Sequence, residues 1–188
     1  MKSKNVFSVF TNTRALVFCA FLAAFSAVIG KFLSVNIGDS IRFSVENLTI
    51  ILAGYMFGPV AGGMVGVIAD LLGCLIKGFA INPLITLCSM FVGVIAGLVS
   101  LFFAIFQNRE KETGKAALAV RVYVTTFAAH IIGNMMLKSL ALWYSYGTPF
   151  ETLILRVPIY TVNAIVEGTA IFLIMQSRAF TDLIYNDR

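Results

Sequence analysis

The sequence predicts an all-α integral membrane protein, a single bundle of six transmembrane helices with both termini in the cytoplasm. Of its 188 residues, 59% are hydrophobic and only 12% are charged, and the mean hydropathy is +0.91. Such a composition is typical of a protein surface that meets lipid, and six helices of about 20 to 25 residues match the bilayer. Residues 1–188 are therefore expected to form one multi-pass domain.

Apolar runs separated by polar residues, Gly or Pro define the helices in order. The predicted spans are 14–33, 42–57, 60–76, 83–106, 118–142 and 153–175. Gly58-Pro59 is the predicted turn between the second and third spans, since Pro is well tolerated at the first position of a helix. The first 13 residues are too polar for a cleaved signal peptide, so Met1 is expected to be the mature start.

The distribution of basic residues sets the expected orientation. With six spans both termini share one side, and that side also holds nine of the fourteen Lys and Arg residues. The opposite side holds Lys31, Arg42, Lys77, Lys138 and Arg156. The termini are therefore expected in the cytoplasm and these five residues outside. Nucleic-acid binding is not expected, because the sequence has no soluble basic domain.

Neither a metal site nor a bound cofactor is expected for this chain. Cys19, Cys74 and Cys88 fall inside apolar spans, without His or Cys at metal-ligand spacing, and are interpreted as small core residues. No nucleotide-binding loop of the G-x-x-x-x-G-K-[ST] type occurs. Any ATP-driven step must therefore belong to another chain.

Polar residues inside the spans are the informative ones, because an ionisable group at the bilayer centre costs about 2.5 to 3.5 kcal/mol and usually faces a cavity. Four spans carry such residues at helical spacing. They are Arg42, Glu46 and Thr49; Gly63, Gly66, Asp70, Gly73 and Lys77; His130, Asn134 and Lys138; and Arg156, Tyr160, Asn163 and Glu167. Four polar faces predict a polar cavity that opens outward, since the cations lie at the outer ends.

Simpler explanations exist for individual residues. Arg42 can be an interfacial anchor whose side chain snorkels to the headgroups. Asp70 can cap a helix or pair with a neighbour such as Lys77, and a single His130 can be an interior hydrogen-bonded residue. Trp143 fits an aromatic belt as well as ligand stacking. The convergence of four faces favours a binding site over these separate explanations.

The first span carries small residues instead of a polar face. They are Ala20, Ala24 and Ala27, with Ala23, Ser26 and Gly30 on the adjoining stripe. Small residues at a spacing of four let helix backbones approach closely in a membrane. The stripe is compatible with packing inside the bundle and with contact to a partner.

The segment "IRFS" at 41–44, followed by "ILAGYMFGPVAGGMVGVIADLLG" at 51–73, resembles the second and third helices of the S components of energy-coupling factor (ECF) vitamin transporters. The resemblance is closest to the folate-type branch, and the length, the six-span layout and the small-residue first helix are similar as well. It implies a subunit that binds a vitamin at the outer face and reorients in the membrane. It also implies an ECF transmembrane coupling subunit, two cytoplasmic ATPases that use ATP, and a bacterial cell membrane.

The resemblance carries only a few residues over to this sequence. It implies ligand binding for Arg42 in "IRFS" and for Asp70 in "ADLLG", and partner contact for Ala20 and Ala24. At 45–49 the chain departs from the folate branch, which commonly has aromatic residues and a proline there.

The polar residues also suit the chemistry of folate, a dianion with a flat pterin ring. Candidate carboxylate clamps are Arg42, Lys77, Lys138 and Arg156; candidate stacking rings are Trp143 and Tyr160; candidate readers of the ring edge are Asn134, Asn163 and Glu167. Glu46 and Asp70 complete the predicted ligand-binding set. Riboflavin, pantothenate and a queuosine precursor remain alternative ligands.

A small intramembrane enzyme using Asp70, His130 and Glu167 is the alternative from another class. The single His has no Ser or Cys nucleophile and no second metal ligand at a suitable spacing, which argues against catalysis. No catalytic residue is therefore predicted.

Overall fold

Helices dominate the structure, a computed structural model that describes residues 13–37, 41–106 and 114–177. The helices are α1 (Thr13–Phe32), α2 (Asn47–Phe57), α3 (Pro59–Lys77), α4 (Pro83–Phe106), α5 (Lys115–Ala128), α6 (Lys138–Tyr146) and α7 (Phe150–Gln176). A π-helical segment, Ala129–Leu137, joins α5 to α6 without a break. The three together form one continuous rod of 32 residues, Lys115–Tyr146.

Among residues 13–37, 41–106 and 114–177, five helical stretches are long and apolar enough to cross a membrane. They are Thr13–Gly30, Pro59–Lys77, Pro83–Phe106, Lys115–Tyr146 and Leu153–Gln176. The remaining helix, α2, is apolar but has only 11 residues. The protein is thus a helical membrane protein, and the second of the predicted spans is the one that is short.

Two short strands lie between α1 and α2, which corrects the start of the predicted second span, 42–57, since the helix begins only at Asn47. The bundle itself is helical, as predicted. Strands β1 (Val35–Ile37) and β2 (Ile41–Phe43) pair in antiparallel register, with Asn36 opposite Arg42. Alternating β-branched and aromatic residues favour strands, and residues 38–40 between them, Gly-Asp-Ser, are turn-forming types. Local β propensity therefore prevails over the helical spacing that places Arg42 on the same stripe as Glu46.

Turn residues end the helices where the sequence indicates. Gly58 has a φ of 93°, a conformation that favours glycine, and Pro59 is the first residue of α3. The predicted Gly58-Pro59 turn is confirmed. Gly78 ends α3 in the left-handed conformation, and the Asn82 side chain accepts a hydrogen bond from the Leu84 N–H at 3.0 Å at the start of α4.

Glycines bring α3 and α4 into very close contact. A Cβ on Gly93 of α4 would overlap the carbonyl of Gly62, and a Cβ on Gly66 would overlap the carbonyl of Ser89. Gly62 and Gly66 lie one turn apart on the same side of α3, the spacing that allows membrane helices to approach closely. Besides α3, α4 packs against α2, α5 and α6, so it occupies the middle of the bundle.

The rod Lys115–Tyr146 and α7 each change character along their length. Val122 and Ile171 belong to a dry apolar core shared with α1 to α4, whereas the buried His130 and Glu167 are polar. The polar halves of the two helices lie side by side, and α7 also contacts β2 and α2 there. The fold therefore concentrates buried polar groups at the end of the bundle that carries the β-ribbon.

Replacing Gly93 with Ala is expected to destabilise the protein. The new Cβ meets the backbone of Gly62, which cannot move aside like a flexible side chain, so we expect a loss of about 1 to 3 kcal/mol. Thermal unfolding of the detergent-solubilised protein measures the change. Gly73→Ala is the matched control, since a Cβ at Gly73 meets nothing within 4 Å; equal unfolding temperatures for the two variants would contradict this packing.

Candidate functional site

A carboxyl group and an imidazole join α7 to the π-helical segment in the interior of the bundle. His130 Nε2 lies 2.8 Å from Glu167 Oε2, and both side chains are 0% exposed. On the other side of the ring, His130 Nδ1 lies 3.2 Å from Asn134 Nδ2, and Asn134 is equally buried. The three side chains form one continuous chain of hydrogen bonds.

The π-helical turn that holds His130 and Asn134 was not predicted from the sequence. A π-helix widens the backbone and changes which side chains share a face, and such segments are frequent at functional sites. Gly133 in the same segment packs directly against Val92 of α4, where a Cβ would crowd the valine side chain. The segment thus lies between α4 and α7, with His130 bonded to Glu167 of α7 and Asn134 bonded to His130.

A buried arginine lies further toward the start of α7. Arg156 is 8% exposed, its Nη2 donates a hydrogen bond to the Tyr160 hydroxyl at 2.7 Å, and its Cζ lies 5.1 Å from the centre of the Tyr160 ring. The Tyr160 ring in turn lies 5.9 Å from the His130 ring. Within the described residues, the hydrogen-bond partner of this cation is a neutral phenol and not a carboxylate.

Asn163 connects α7 to the segment after the β-ribbon. Its Nδ2 donates a long hydrogen bond of 3.5 Å to the carbonyl of Ser44, and both residues are buried. We call the six residues of this region the polar cluster: His130, Asn134, Arg156, Tyr160, Asn163 and Glu167. The structure therefore brings together five predicted ligand-binding residues, together with His130.

Three oxygen atoms of the polar cluster are buried without a hydrogen-bond partner among the described residues. They are Asn134 Oδ1, Asn163 Oδ1 and Glu167 Oε1. Buried polar atoms are nearly always hydrogen-bonded in proteins, and leaving one unsatisfied costs about 1 to 3 kcal/mol. The two amide oxygens are acceptors, and Glu167 Oε1 accepts when the carboxyl group is ionised, so the arrangement is suited to a bound molecule that supplies N–H or O–H groups.

Glu46 and Lys77 form a separate ion pair beside the first helix. Lys77 Nζ lies 3.5 Å from Glu46 Oε2, and Ser26 of α1 donates to the Glu46 carbonyl at 2.7 Å. Gly30 lies against the Glu46 carboxylate, where any Cβ would crowd it. This pair ties together α1, the segment before α2 and the end of α3.

Three residues of the predicted polar stripe of α3, namely Gly63, Gly66 and Asp70, face α4. Asp70 accepts hydrogen bonds from Thr86 at 2.7 Å and from Ser89 at 3.2 Å, and Gly66 packs on the Ser89 backbone. The physical reason is that small residues at this spacing allow close backbone packing, and the carboxylate then finds hydroxyl donors on the adjacent helix. A ligand-binding role for Asp70 stays a prediction.

Three other predicted ligand-binding residues are not part of the polar cluster. Arg42 is in β2, and its side chain lies outside the described part of the chain. Lys138 is the first residue of α6, half-buried and one turn beyond Asn134. Trp143 is 57% exposed on α6, as expected for a residue of the aromatic belt, although this does not test ligand stacking.

The small residues of α1 divide between two faces. Ala20 and Ala24 are exposed on the outside of the bundle, whereas Ala23 and Ala27 are buried in it. Exposed apolar side chains flank the outward alanines: Leu16, Val17, Phe21, Phe25 and Val28. Ala23 and Ala27 therefore serve packing inside the bundle. Ala20 and Ala24 take no part in that packing in the described structure.

Comparison with known proteins assigns the chain to a class. A family model described as "ECF-type riboflavin transporter, S component" matches residues 10–178. The chain belongs to this family of S components, the substrate-binding subunits of ECF transporters, and the alternative of an intramembrane enzyme is therefore wrong. The predicted resemblance to ECF S components is confirmed.

Individual relatives are similar over part of their length. The chain is 32% identical over 102 residues to "Uncharacterized protein MG313 homolog" of Mycoplasma pneumoniae, which covers 54% of this chain and 34% of that protein. It is 32% identical over 113 residues to "Folate transporter FolT" of Clostridium novyi, covering 59% and 61%. The matches thus span about a third and about three fifths of these relatives.

Two solved structures share the fold. "Crystal structure of FolT bound with folic acid" has a TM-score of 0.67 at 22% identity, covering 90% of this chain and 98% of that one. "Structure and mechanism of the S component of a bacterial ECF transporter" has a TM-score of 0.62 at 21% identity, covering 90% and 96%. At these identities the likeness concerns the fold.

Asp70 and Thr86 are expected to stabilise the α3–α4 contact jointly. In a double-mutant cycle of Asp70→Asn and Thr86→Val, we expect a coupling of about 0.5 to 3 kcal/mol in the free energy of unfolding, since the hydroxyl donates to the carboxylate. Ser100→Ala, combined with Asp70→Asn, is the matched control on the same helix as Thr86. Because the Ser100 hydroxyl donates to the Tyr55 carbonyl and not to Asp70, this pair should be additive. Additive effects of Asp70→Asn and Thr86→Val would show that the hydrogen bond does not stabilise this contact.

Proposed function

We propose that this protein is the folate-binding S component of an ECF importer in the plasma membrane of a bacterium. It takes up folate at the outer face and works with a transmembrane coupling subunit and two cytoplasmic ATPases, which supply the energy of ATP; the chain itself uses no cofactor. One observation carries the proposal. Within the part of the chain that the structure describes, a single face of α7 holds a buried arginine without an acid partner and, further along, acceptor oxygens without donors.

The arginine suits the anionic end of folate. A buried charge is costly unless it is paired, and the contacts of Arg156 within the described residues are to Tyr160. A ligand carboxylate would supply the missing anion through charge-assisted hydrogen bonds, which are the strong ones. Folate carries two carboxylates on its glutamate, so one ligand end matches this part of the site.

The acceptor oxygens suit the opposite end of folate, the pterin ring. Its 2-amino group and the adjacent ring N–H donate hydrogen bonds, and Asn134 Oδ1, Asn163 Oδ1 and Glu167 Oε1 have no donor among the described residues. Tyr160, between Arg156 and the acceptors along α7, offers an aromatic face for stacking. The rise from Arg156 to Glu167 is about 16 Å at 1.5 Å per residue, a length comparable with an extended folate molecule.

Riboflavin is the second candidate ligand, because the matching family model is described by that vitamin. The relative named "Folate transporter FolT" favours folate, and so does the chemistry of the site. Riboflavin is neutral and leaves Arg156 without an anion, and its ring edge has two carbonyls flanking one N–H. Pantothenate has a carboxylate but no ring, and a queuosine precursor has an amino-substituted ring but no carboxylate.

Further residues complete the proposed site at the outer end of the bundle. Lys77 is at the end of α3, Lys138 starts α6 and Arg42 lies in the β-ribbon; if six spans cross the membrane with cytoplasmic termini, all three lie toward the outside. We propose them as additional cations for the folate carboxylates, with Glu46 and Trp143 at the rim. The bias of basic residues toward the opposite side supports this orientation.

The outward alanines of α1 are the proposed contact with the coupling subunit. Ala20 and Ala24 are exposed between large apolar side chains, so their small size leaves a shallow strip where another helix can approach closely. The same strip contributes nothing to the polar cluster. Binding of ligand and contact with the partner are therefore assigned to different faces of the protein.

Arg156→Gln is expected to weaken folate binding by about 10- to 150-fold, the equivalent of about 1.5 to 3 kcal/mol for a hydrogen bond to a charged group. The same change should leave the affinity for 6-methylpterin unaltered, because that analogue keeps the ring and lacks the carboxylates. Calorimetry or fluorescence titration of the detergent-solubilised protein measures both.

Arg121→Gln is the control for this experiment, since it also removes an arginine charge from a helix but lies in α5, outside the polar cluster. Equal losses for folate and 6-methylpterin in Arg156→Gln would refute the carboxylate clamp. Tighter binding of riboflavin than of folate by the unaltered protein would replace the proposed ligand by riboflavin.

Replacing Ala20 and Ala24 with Leu is expected to abolish folate uptake in cells that also make the coupling subunit and the ATPases. Bulky side chains would keep the partner helix at a distance, while the isolated variant should bind folate like the unaltered protein. Phe21→Leu, a change of an exposed residue on the same helix, is the control. Simultaneous loss of uptake and binding would indicate that the alanines serve internal packing.

A further inference from the structure

The hydrogen bonds around His130 specify where its proton lies. In the structure the Asn134 amide turns its nitrogen toward the ring, and an amide nitrogen donates and cannot accept. With this amide orientation, the His130 Nδ1 atom 3.2 Å away is the acceptor and carries no proton. The ring proton is then on Nε2, which donates to Glu167 Oε2 at 2.8 Å. The orientation of the Asn134 amide in the structure therefore corresponds to the tautomer of His130 that is protonated on Nε2.

This tautomer determines what Asn134 presents to a ligand. With Nδ1 unprotonated, Asn134 turns its nitrogen toward the ring and leaves Oδ1 unpartnered. A proton on Nδ1 would require the opposite amide orientation, with Oδ1 toward the ring and the NH2 group exposed in its place. One proton on the imidazole therefore decides whether this position of the site is an acceptor or a donor.

We infer that His130 is a positioning residue for the end of the site that is proposed to bind the pterin ring. It keeps hydrogen-bond acceptors and no donors facing the ligand there, so that the site selects a ring edge with two neighbouring donors. The inference rests on the proposed function and deepens it. His130 uses both of its nitrogens on Glu167 and Asn134, so it sets the polarity of the site through them. A ring with an amino group donates hydrogen bonds to these acceptor oxygens of the site. A ring with a carbonyl at the same position places its own lone pairs against theirs, which is repulsive.

Two compounds that differ at this one position test the inference. Pterin-6-carboxylate has an amino group at ring position 2, and lumazine-6-carboxylate has a carbonyl there; the charge is the same. We expect the unaltered protein to prefer the pterin by roughly 10- to 100-fold, because the wrong edge leaves buried groups unpaired. The ratio of the two dissociation constants is the quantity measured.

Substitutions of His130 should change this ratio in a specific way. His130→Leu removes both hydrogen bonds and frees the Asn134 amide to turn, so we expect the preference to fall by about tenfold or more. His130→Gln retains one amide donor and one amide acceptor, and should restore most of the preference. Thr126→Val is the matched control, since it removes a buried hydroxyl one turn away that bonds to the Val122 carbonyl; its ratio should equal that of the unaltered protein.

A direct measurement does not depend on any variant folding. His130 is the single histidine of the sequence, so ¹⁵N-histidine labelling gives one pair of ring nitrogen signals. We expect a protonated Nε2 and an unprotonated Nδ1 in the pterin complex. A proton on Nδ1, or an unchanged preference in a folded His130→Leu protein, would overturn the inference, whereas absence of pterin binding by the unaltered protein would instead reject the proposed function.

Discussion

The structure depends on a constraint that lipid imposes, namely that polar groups inside the bundle must find partners on neighbouring helices. The contact between His130 and Glu167 is the clearest case. Neither side chain reaches solvent, and hydrocarbon offers no hydrogen bonds to replace the ones they make. Pairing them holds the π-helical segment against α7, and this juxtaposition creates the polar cluster. An interaction that satisfies a folding requirement thereby also orients the groups that are proposed to bind the ligand.

The same constraint explains why the bundle is organised in two parts. On one side, Gly62, Gly66 and Gly93 let α3 and α4 pack backbone to backbone, and Asp70 is satisfied by hydroxyls across that contact. On the other side, the polar cluster keeps acceptor oxygens without partners. A protein that binds a ligand in a membrane needs a rigid part and a part with polar atoms available for the ligand. The α3–α4 contact gives rigidity, and the polar cluster has acceptor oxygens that the fold itself does not use.

Separation of surfaces is a second consequence of this arrangement. The outward alanines of α1 belong to the helix that packs on α2 and α3, whereas ligand recognition is proposed for α7 and the π-helical segment. Ser44 and Glu46, in the short stretch between the β-ribbon and α2, contact both sides: the Ser44 carbonyl accepts from Asn163, and Glu46 pairs with Lys77. This stretch is therefore one physical connection between the two halves, in addition to the packing of α4 against helices of both.

The sequence by itself determined the membrane class, most helix boundaries and the polar faces that form the polar cluster, because hydropathy, Gly-Pro turns and polar residues at helical spacing are local signals. Arg156, Tyr160, Asn163 and Glu167 share one face of α7, as their spacing predicts. Tertiary structure alone decided the partners. Helical spacing does not tell which neighbour a face meets, so the stripe containing Asp70 was expected at the cavity although it faces α4. Nor does spacing reveal the β-ribbon at Arg42 or the π-helical turn at His130, since strand pairing and a widened helix depend on contacts with residues distant in the chain.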